Sequence, residues 1–272
     1  MASASRSSAR QACALILAAA VAAGCAASSG KGPDGDPERM SRSEYDVALD
    51  LWLRQQRPRE ALEHALGAVE LDDENHEAAH LVALIYLDFC RRTPDDCRLK
   101  EAERHARMAL EAKPDFREAK NTLGVILIHE KRYRAAIETL KPLTADILYQ
   151  TPENAWGNLG WAYLDSGQTK LAIEALRRSV AAQPLFCVGF YRLGVAYHRN
   201  GQSRQALEAL TQALETDDPR CKRLQAAMSE RARIRIELGE SEAAREDLDA
   251  CVRLSRSTKA GKECASMRSK LK

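Results

Sequence analysis

The sequence predicts an all-α fold, an α-solenoid of six helix–turn–helix repeats followed by a C-terminal capping helix. The first observation is composition: the 272 residues are rich in Ala, Leu, Glu and Arg and include only 14 glycines and 9 prolines. Such a composition favours helices over strands. The second observation is periodicity, because small and apolar residues recur with a spacing of about 34 residues, which is typical of stacked helical repeats.

The N-terminus has the layout of a secretory signal. Residues 1–11 carry Arg6 and Arg10 and no acidic side chain, and an apolar run of about twelve residues follows. That run is too short to span a bilayer. We therefore predict that it is a targeting segment, and nothing later in the chain is long and apolar enough to be a transmembrane helix.

The motif AAGC at residues 22–25 resembles the bacterial lipobox, where a cysteine is diacylated and becomes the new N-terminus. Ala22 departs from the leucine usually found there. We predict a lipoprotein signal peptide over residues 1–24 and lipidation at Cys25; the alternative is an ordinary signal peptide. Ala26, in place of Asp, suggests sorting to the outer membrane, with the protein lipid-anchored and facing the periplasm.

Residues 25–41 are expected to form the lipidated N-terminus and a flexible tether, since they contain almost nothing to bury. A tether of this length reaches roughly 20–25 Å on average. The folded part would therefore stay close to its membrane.

The clearest repeat is residues 153–186. Its diagnostic residues fall at positions 4, 7, 8, 11, 20, 24 and 32: Trp156, Leu159, Gly160, Tyr163, Ala172, Leu176 and Pro184. This is the tetratricopeptide (TPR) pattern. Gly160 and Ala172 are small because the two helices of the hairpin cross there, and Gly167 with Gln168 makes the turn between them.

The same frame extends along the chain. We predict repeats at 42–75, 76–116, 117–152, 153–186, 187–224 and 225–258, and a polar capping helix at 259–272. A solenoid needs such a polar end.

Residues 76–80, HEAAH, raise the possibility of a zinc protease, because paired histidines with an intervening glutamate are a metal-binding pattern. His76 and His80 fall at positions 1 and 5 of the second repeat, and no third ligand is evident. We expect no metal site; the alternatives are catalytic zinc and adventitious metal binding.

Six cysteines remain after Cys13 of the signal peptide and Cys25. Repeat two is seven residues too long, and Cys90 occupies the position where other repeats place a turn glycine. Of the fifteen possible connectivities, the repeat geometry favours sequential pairs in an oxidising compartment: Cys90–Cys97, Cys187–Cys221 and Cys251–Cys264. A redox-active dithiol is the alternative, but no CxxC motif occurs.

Pro142 falls in the second helix of repeat three and is expected to kink or end it. The longer loop that follows is expected either to create a contact surface around Tyr149 or to be a tolerated insertion.

The first helix of each TPR lines a concave face, and position 9 points into it. Position 9 is Val125, Trp161 and Val195 in repeats three to five, flanked by Ile128, Leu164 and Tyr191. This apolar stripe predicts a groove for a partner peptide; the alternative is that neighbouring repeats cover part of it. Asn121 and Asn154 are candidates to hydrogen-bond a peptide backbone.

Charge and motifs argue against other function classes. Lys and Arg number 41 against 39 Asp and Glu, a net charge of +2, which is no footprint for nucleic acid. No catalytic Ser–His–acid or Cys–His arrangement and no phosphate-binding glycine loop are evident. We therefore expect neither an enzyme nor a protein with a cofactor or small-molecule substrate.

Residues 25 to about 220 resemble the TPR pilotins of type IV pilus biogenesis, the PilF/PilW group and its myxobacterial counterpart Tgl. The likeness is most specific in NTLGVILIHEKRYRAAIETL (121–140) and in the spacer with Tyr149 and Pro152 that leads into NAWGNLGWAYL. The extra cysteines and the insertion in repeat two depart from the PilF pattern and look more like Tgl.

This resemblance implies an outer-membrane lipoprotein that binds protomers of a PilQ-type secretin. It would promote secretin targeting and multimerisation, and so pilus assembly and pilus-dependent motility. The rival hypothesis is a TPR lipoprotein that scaffolds another cell-envelope complex.

Overall fold

The computed structural model describes residues 35–271 of the protein; the signal peptide, Cys25 and most of the tether lie outside this range. Within it the chain forms thirteen α-helices and no strand. They are α1 Pro37–Leu53, α2 Pro58–Leu71, α3 His76–Arg92, α4 Leu99–Ala112, α5 Arg117–His129, α6 Tyr133–Leu140, α7 Pro152–Asp165, α8 Thr169–Ala182, α9 Cys187–Arg199, α10 Ser203–Glu215, α11 Gln225–Glu237, α12 Ser241–Leu254 and α13 Lys259–Lys270. None of these helices is long and apolar enough to cross a bilayer.

Consecutive helices pair as antiparallel hairpins, one in each of the six repeat ranges. The odd-numbered helices also contact one another along the array, which makes them the inner layer of an α-solenoid. Helix α13 packs on both α11 and α12, where the first helix of a seventh repeat would lie. It therefore covers the apolar end of the array.

Helix α1 begins at Pro37, before the end of the expected tether. Proline is favoured at the start of a helix because its missing N–H needs no partner there. The buried hydroxyl of Ser41 donates to the carbonyl of Ala68 at 2.7 Å, and the Asn75 amide donates to Ser41 Oγ at 2.8 Å. These bonds tie the beginning of α1 to the first repeat and to the turn before α3.

Small residues let the paired helices approach closely. A Cβ atom added to Gly160 would lie 2.5 Å from Leu176 Cγ, and one added to Gly194 would lie 2.6 Å from Leu210 Cγ. Real Cβ atoms do not come so near another carbon, so these glycines are required by the packing of leucine against the backbone.

The hairpin turns use one left-handed residue at position 15 of the repeat. Gly167, Gly201 and Gly239 have φ between 74° and 81°, and Lys131 takes the same place with φ 62°. The prediction that Cys90 lies in such a turn was wrong. Helix α3 continues through Cys90 to Arg92, and the inserted residues follow it.

The part of the chain that the structure describes contains three disulfides, Cys90–Cys97, Cys187–Cys221 and Cys251–Cys264, the same sequential pairs that the repeat frame favoured. The first closes the insertion in repeat two. The second joins the start of α9 to the segment after α10, and the third attaches the capping helix α13 to α12. Each bridge thus braces an irregular part of the array.

Helix α6 ends at Leu140, and a short 3-10 helix, Lys141–Ala145, follows through Pro142. The longer loop that follows was expected either to create a contact surface around Tyr149 or to be a tolerated insertion, and Tyr149 itself lies away from the surface. Tyr149 is only 5% exposed, because its ring packs into the core between repeats three and four, while Ile147 in the preceding turn is 95% exposed.

Candidate partner-binding groove

The inner surface of the solenoid carries an apolar cavity between α7 and α9, of about 290 Å³. Four residues of the predicted stripe line it: Trp161, Leu164, Tyr191 and Val195. Val188 and Leu224 complete its apolar wall. The structure thus brings together the part of the stripe contributed by repeats four and five. Val125 is half-buried on α5, one repeat away.

Two flanking residues are more buried than the sequence analysis expected. Ile128 is 3% exposed and belongs to the core, so it is not part of the groove surface. Leu164 is 4% exposed and forms the floor of the cavity. Both follow a glycine at position 8 by one helical turn, and side chains at i and i+4 lie on one face of a helix. Ile128 and Leu164 therefore lie on the face of the helix that packs into the core.

Trp161 is held in place by polar contacts on three sides. Its indole Nε1 donates to Asp165 Oδ2 at 2.8 Å. The His129 ring packs against the indole in a T-shaped contact, with 5.1 Å between the ring centroids. The guanidinium carbon of Arg192 lies 4.3 Å from the ring centre. The ring is therefore half-buried and oriented before any partner arrives.

Arg192 is a groove residue that the sequence analysis missed. Its Nη1 donates to the carbonyl of Gly157 at 3.2 Å and to Asn158 Oδ1 at 2.9 Å, and Asn158 Nδ2 donates to Asn121 Oδ1 at 2.9 Å. Burial lowers the pKa of Arg192 to about 10, so the guanidinium is still charged at neutral pH. Hydrogen bonds therefore run across α5, α7 and α9.

The repeat frame in the sequence indicates these hydrogen bonds between helices. Position 6 of the repeat points toward the concave face, and it is Asn158 in repeat four and Arg192 in repeat five. Asn121, proposed to bind a peptide backbone, already accepts a hydrogen bond from Asn158. Asn154 is half-buried near the start of α7.

A second, larger cavity of about 590 Å³ adjoins the first and shares Tyr191, Val195 and Arg199 with it. Helices α9, α11 and α13 form its walls. Its rim is charged. The His198 ring lies between two carboxylates, with Nδ1 2.7 Å from Glu230 and Nε2 2.9 Å from Glu237. The two cavities form one groove, in which aromatic and aliphatic side chains predominate at the α7 end and charged side chains at the α13 end.

The HEAAH segment packs one repeat on the next. The rings of His76 and His80 both meet Phe116 at steep angles, with centroids 5.1 Å and 5.0 Å apart. His80 Nε2 lies 2.9 Å from Thr122 Oγ1 on α5. Burial, together with His76, lowers the pKa of His80 to about 4. Among residues 35–271 there is no group of three or more potential metal ligands.

Comparisons with known proteins agree with this architecture. Two tetratricopeptide-repeat models match residues 153–184 and 191–257. No curated protein matches the sequence.

Among solved structures, PilW, described as a widely conserved type IV pilus biogenesis factor, is 26% identical. The match covers 82% of this chain and 96% of PilW, with a TM-score of 0.67. The Pseudomonas aeruginosa protein pilF (16% identity, 86% of this chain and 100% of that one, TM-score 0.64) shares the fold. So does a TPR protein from Parabacteroides merdae (15% identity, 84% of each chain, TM-score 0.67). The protein is an α-solenoid of tetratricopeptide repeats, similar over most of its length to the pilus biogenesis factor PilW.

Proposed function

We propose that the protein is an outer-membrane lipoprotein pilotin that binds protomers of the type IV pilus secretin and promotes their targeting and multimerisation. The observation that carries the proposal is the likeness to PilW, which extends over 82% of the chain at 26% identity. Within this group, the three disulfides and the insertion closed by Cys90–Cys97 favour a Tgl-type member.

The groove supports a role in binding rather than in chemistry. Protein-binding hot spots are enriched in Trp, Tyr and Arg and lie in partly enclosed, pre-formed pockets. Trp161, Tyr191 and Arg192 meet that description, because they surround the cavity between α7 and α9 and are held by contacts within the array. A non-enzymatic scaffold would need no more than this surface.

The N-terminal anchor completes the proposed mechanism. With Cys25 lipidated, the solenoid is confined near the membrane surface by a short tether. Confinement raises the effective concentration of the groove for a membrane-bound partner without any additional contact. The groove would then hold a secretin segment until the ring closes.

The experiment that tests the proposal is affinity purification of the tagged protein from solubilised outer membranes, followed by mass spectrometry. It is run beside Trp161→Ala and Val195→Ser, two groove variants, and Leu171→Ala, a control at an exposed position on α8. Thermal melts of all four proteins verify folding. We expect secretin with the wild type and the control, and little with the groove variants.

The other candidate function, a scaffold for a different envelope complex, predicts another result. Secretin would be absent, and another set of envelope proteins would be enriched by the wild type. Secretin multimers that form normally without the gene would also contradict the pilotin proposal.

A further inference from the structure

The turn between the 3-10 helix Lys141–Ala145 and α7 carries two adjacent apolar side chains that face solvent. Ile147 is 95% exposed and Leu148 is 61% exposed. The fold holds this turn in place, because Tyr149 is buried and the Leu148 N–H donates to Asp146 Oδ1 at 2.9 Å. A single exposed apolar residue is ordinary, but an adjacent pair at the tip of an ordered turn indicates a surface that another body covers.

Little charge surrounds this pair. Asp146 is the only charged residue in 142–151, and its carboxylate lies 2.7 Å from Arg117 Nε. The link between α8 and α9, residues 183–186, has no charged residue and exposes Leu185. Both links can therefore leave water without burying an unpaired charge, which would be costly.

The two links lie on one edge of the solenoid. The Ser179 hydroxyl near the end of α8 donates to the carbonyl of Glu153 at the start of α7, at 2.8 Å. Ser41 near the start of α1 and Ala68 near the end of α2 make the same kind of contact. The links between repeats therefore share an edge with the start of α1. The turns within hairpins, with Leu171 beside one of them, lie on the opposite edge.

The start of α1 is also where the chain continues toward Cys25, the predicted lipidation site. Residues 26–36 separate Cys25 from α1. A linker of this length reaches roughly 20 Å on average and about 40 Å when fully extended. With Cys25 in a bilayer, the edge that holds the start of α1 is tied to the lipid more closely than the opposite edge.

We propose that this edge rests on the lipid surface of the membrane, with Ile147, Leu148 and Leu185 inserted among the lipids. The inference rests on one part of the proposed function, the lipid anchor at Cys25, and it does not require a secretin. Each inserted side chain strengthens the contact by about tenfold. That is too little to hold an unanchored protein but enough to orient an anchored one. The helices then stand away from the bilayer, and the concave groove opens along its surface.

The test uses the full lipidated protein in vesicles of phosphatidylethanolamine and phosphatidylglycerol, with the acyl groups verified by mass spectrometry. An environment-sensitive fluorescent amino acid replaces Ile147, Leu185 or, on the opposite edge, Leu171. Lipids brominated on their acyl chains quench fluorophores that enter the bilayer. We expect a blue shift and about a twofold loss of intensity at positions 147 and 185, and neither at position 171.

A double variant, Ile147→Ser with Leu148→Ser, tests the turn itself. It should reduce the quenching at position 185 by about half, because the edge loses two of its apolar contacts with lipid. Leu171→Ser is the matched control and should leave that quenching unchanged. The replaced side chains are all exposed, and thermal melts of each variant verify folding.

Equal quenching at positions 147 and 171, quenching at position 185 that survives the double variant, or a chain without acyl groups would overturn the inference. A photo-crosslinking amino acid at position 147 that captures a protein in cells, with no quenching in vesicles, would overturn it in favour of a protein docking site.

The same experiments separate this inference from the pilotin proposal. Quenching at position 147, with no secretin in the membrane purification, would leave the inference standing and refute the pilotin proposal. Secretin recovered with the lipidated protein, and no quenching at position 147, would do the reverse.

Discussion

The guanidinium carbon of Arg192, on α9, lies 4.3 Å from the centre of the Trp161 indole ring, on α7. The same guanidinium donates to the carbonyl of Gly157 and to Asn158. One side chain therefore fastens repeat five to repeat four and also shapes the aromatic wall of the groove.

We expect Arg192→Ala to lower the free energy of unfolding by about 1–3 kcal/mol, the sum of a cation–π contact and charged hydrogen bonds that are lost. Chemical denaturation followed by tryptophan fluorescence measures it. The control is Arg178→Ala, which removes an exposed arginine whose guanidinium carbon is 4.9 Å from the Trp156 ring centre. The control should lower the free energy of unfolding by less than about 1 kcal/mol. An equal loss of stability in the two variants would contradict the role given to Arg192.

A second prediction concerns helix crossing. Gly160→Ala should lower the unfolding free energy by about 1–3 kcal/mol, because the new methyl group would lie 2.5 Å from Leu176 Cγ and force the hairpin apart. Gly67→Ala is the matched control in α2, where nothing lies within 4 Å of the added methyl. It should raise stability by about 0.5–1 kcal/mol through helix propensity. Thermal unfolding of both variants distinguishes steric cost from propensity.

The capping helix gives a third prediction. Cys251 and Cys264 are both fully buried, and their bridge joins α12 to α13. Replacing both by alanine should lower the unfolding free energy by about 2–4 kcal/mol and speed hydrogen exchange in α13. The corresponding double variant of Cys90 and Cys97 should leave exchange in α13 unchanged. Unaltered protection of α13 without its bridge would show that packing alone holds the cap.

The fourth prediction is a pH dependence at His198. Burial by itself lowers the pKa of this imidazole, but hydrogen bonds to Glu230 and Glu237 outweigh burial and raise the pKa above 6.5. A raised pKa in the folded state means that the folded state binds the proton more tightly than the unfolded state. The resulting stabilisation is complete below the unfolded pKa and is lost as pH rises through the folded pKa.

His198→Gln should therefore cost more stability at about pH 5 than at about pH 9. The charged side chains of Arg199 on α9, Arg233 on α11 and Lys259 and Glu263 on α13 line the same cavity as this ring. Denaturant unfolding of the wild type and the variant at the two pH values checks the prediction. A difference that does not change with pH would mean that His198 acts through packing alone.

Much of the fold was predictable because TPR contacts are local. The spacing of Gly160, Ala172 and Leu176 within one repeat requires two helices that cross closely, and the structure has that crossing. The same frame predicted the three disulfides as sequential pairs, since stacking places each repeat beside its neighbour in sequence. Trp161, Tyr191 and Val195, predicted to share one apolar stripe, line one cavity.

The misplaced residues lie beside a repeat interface or beside an insertion. Ile128 was expected to line the groove and is in the core, and Cys90 was expected in a turn and is in α3. Sequence periodicity specifies which face of a helix is apolar. It does not specify how far an insertion or a longer loop shifts the next helix over that face.

The helical composition, the repeat frame, the close helix crossings and the apolar stripe can be predicted from the sequence, because each depends on the spacing of residues within a hairpin. The contact of Arg192 with Trp161, and the cavity that Ser229 and Lys259 line together, depend on how the repeats stack. Those relationships depend on the rotation of each repeat against the next. That rotation is set by the summed packing of many side chains rather than by any single motif.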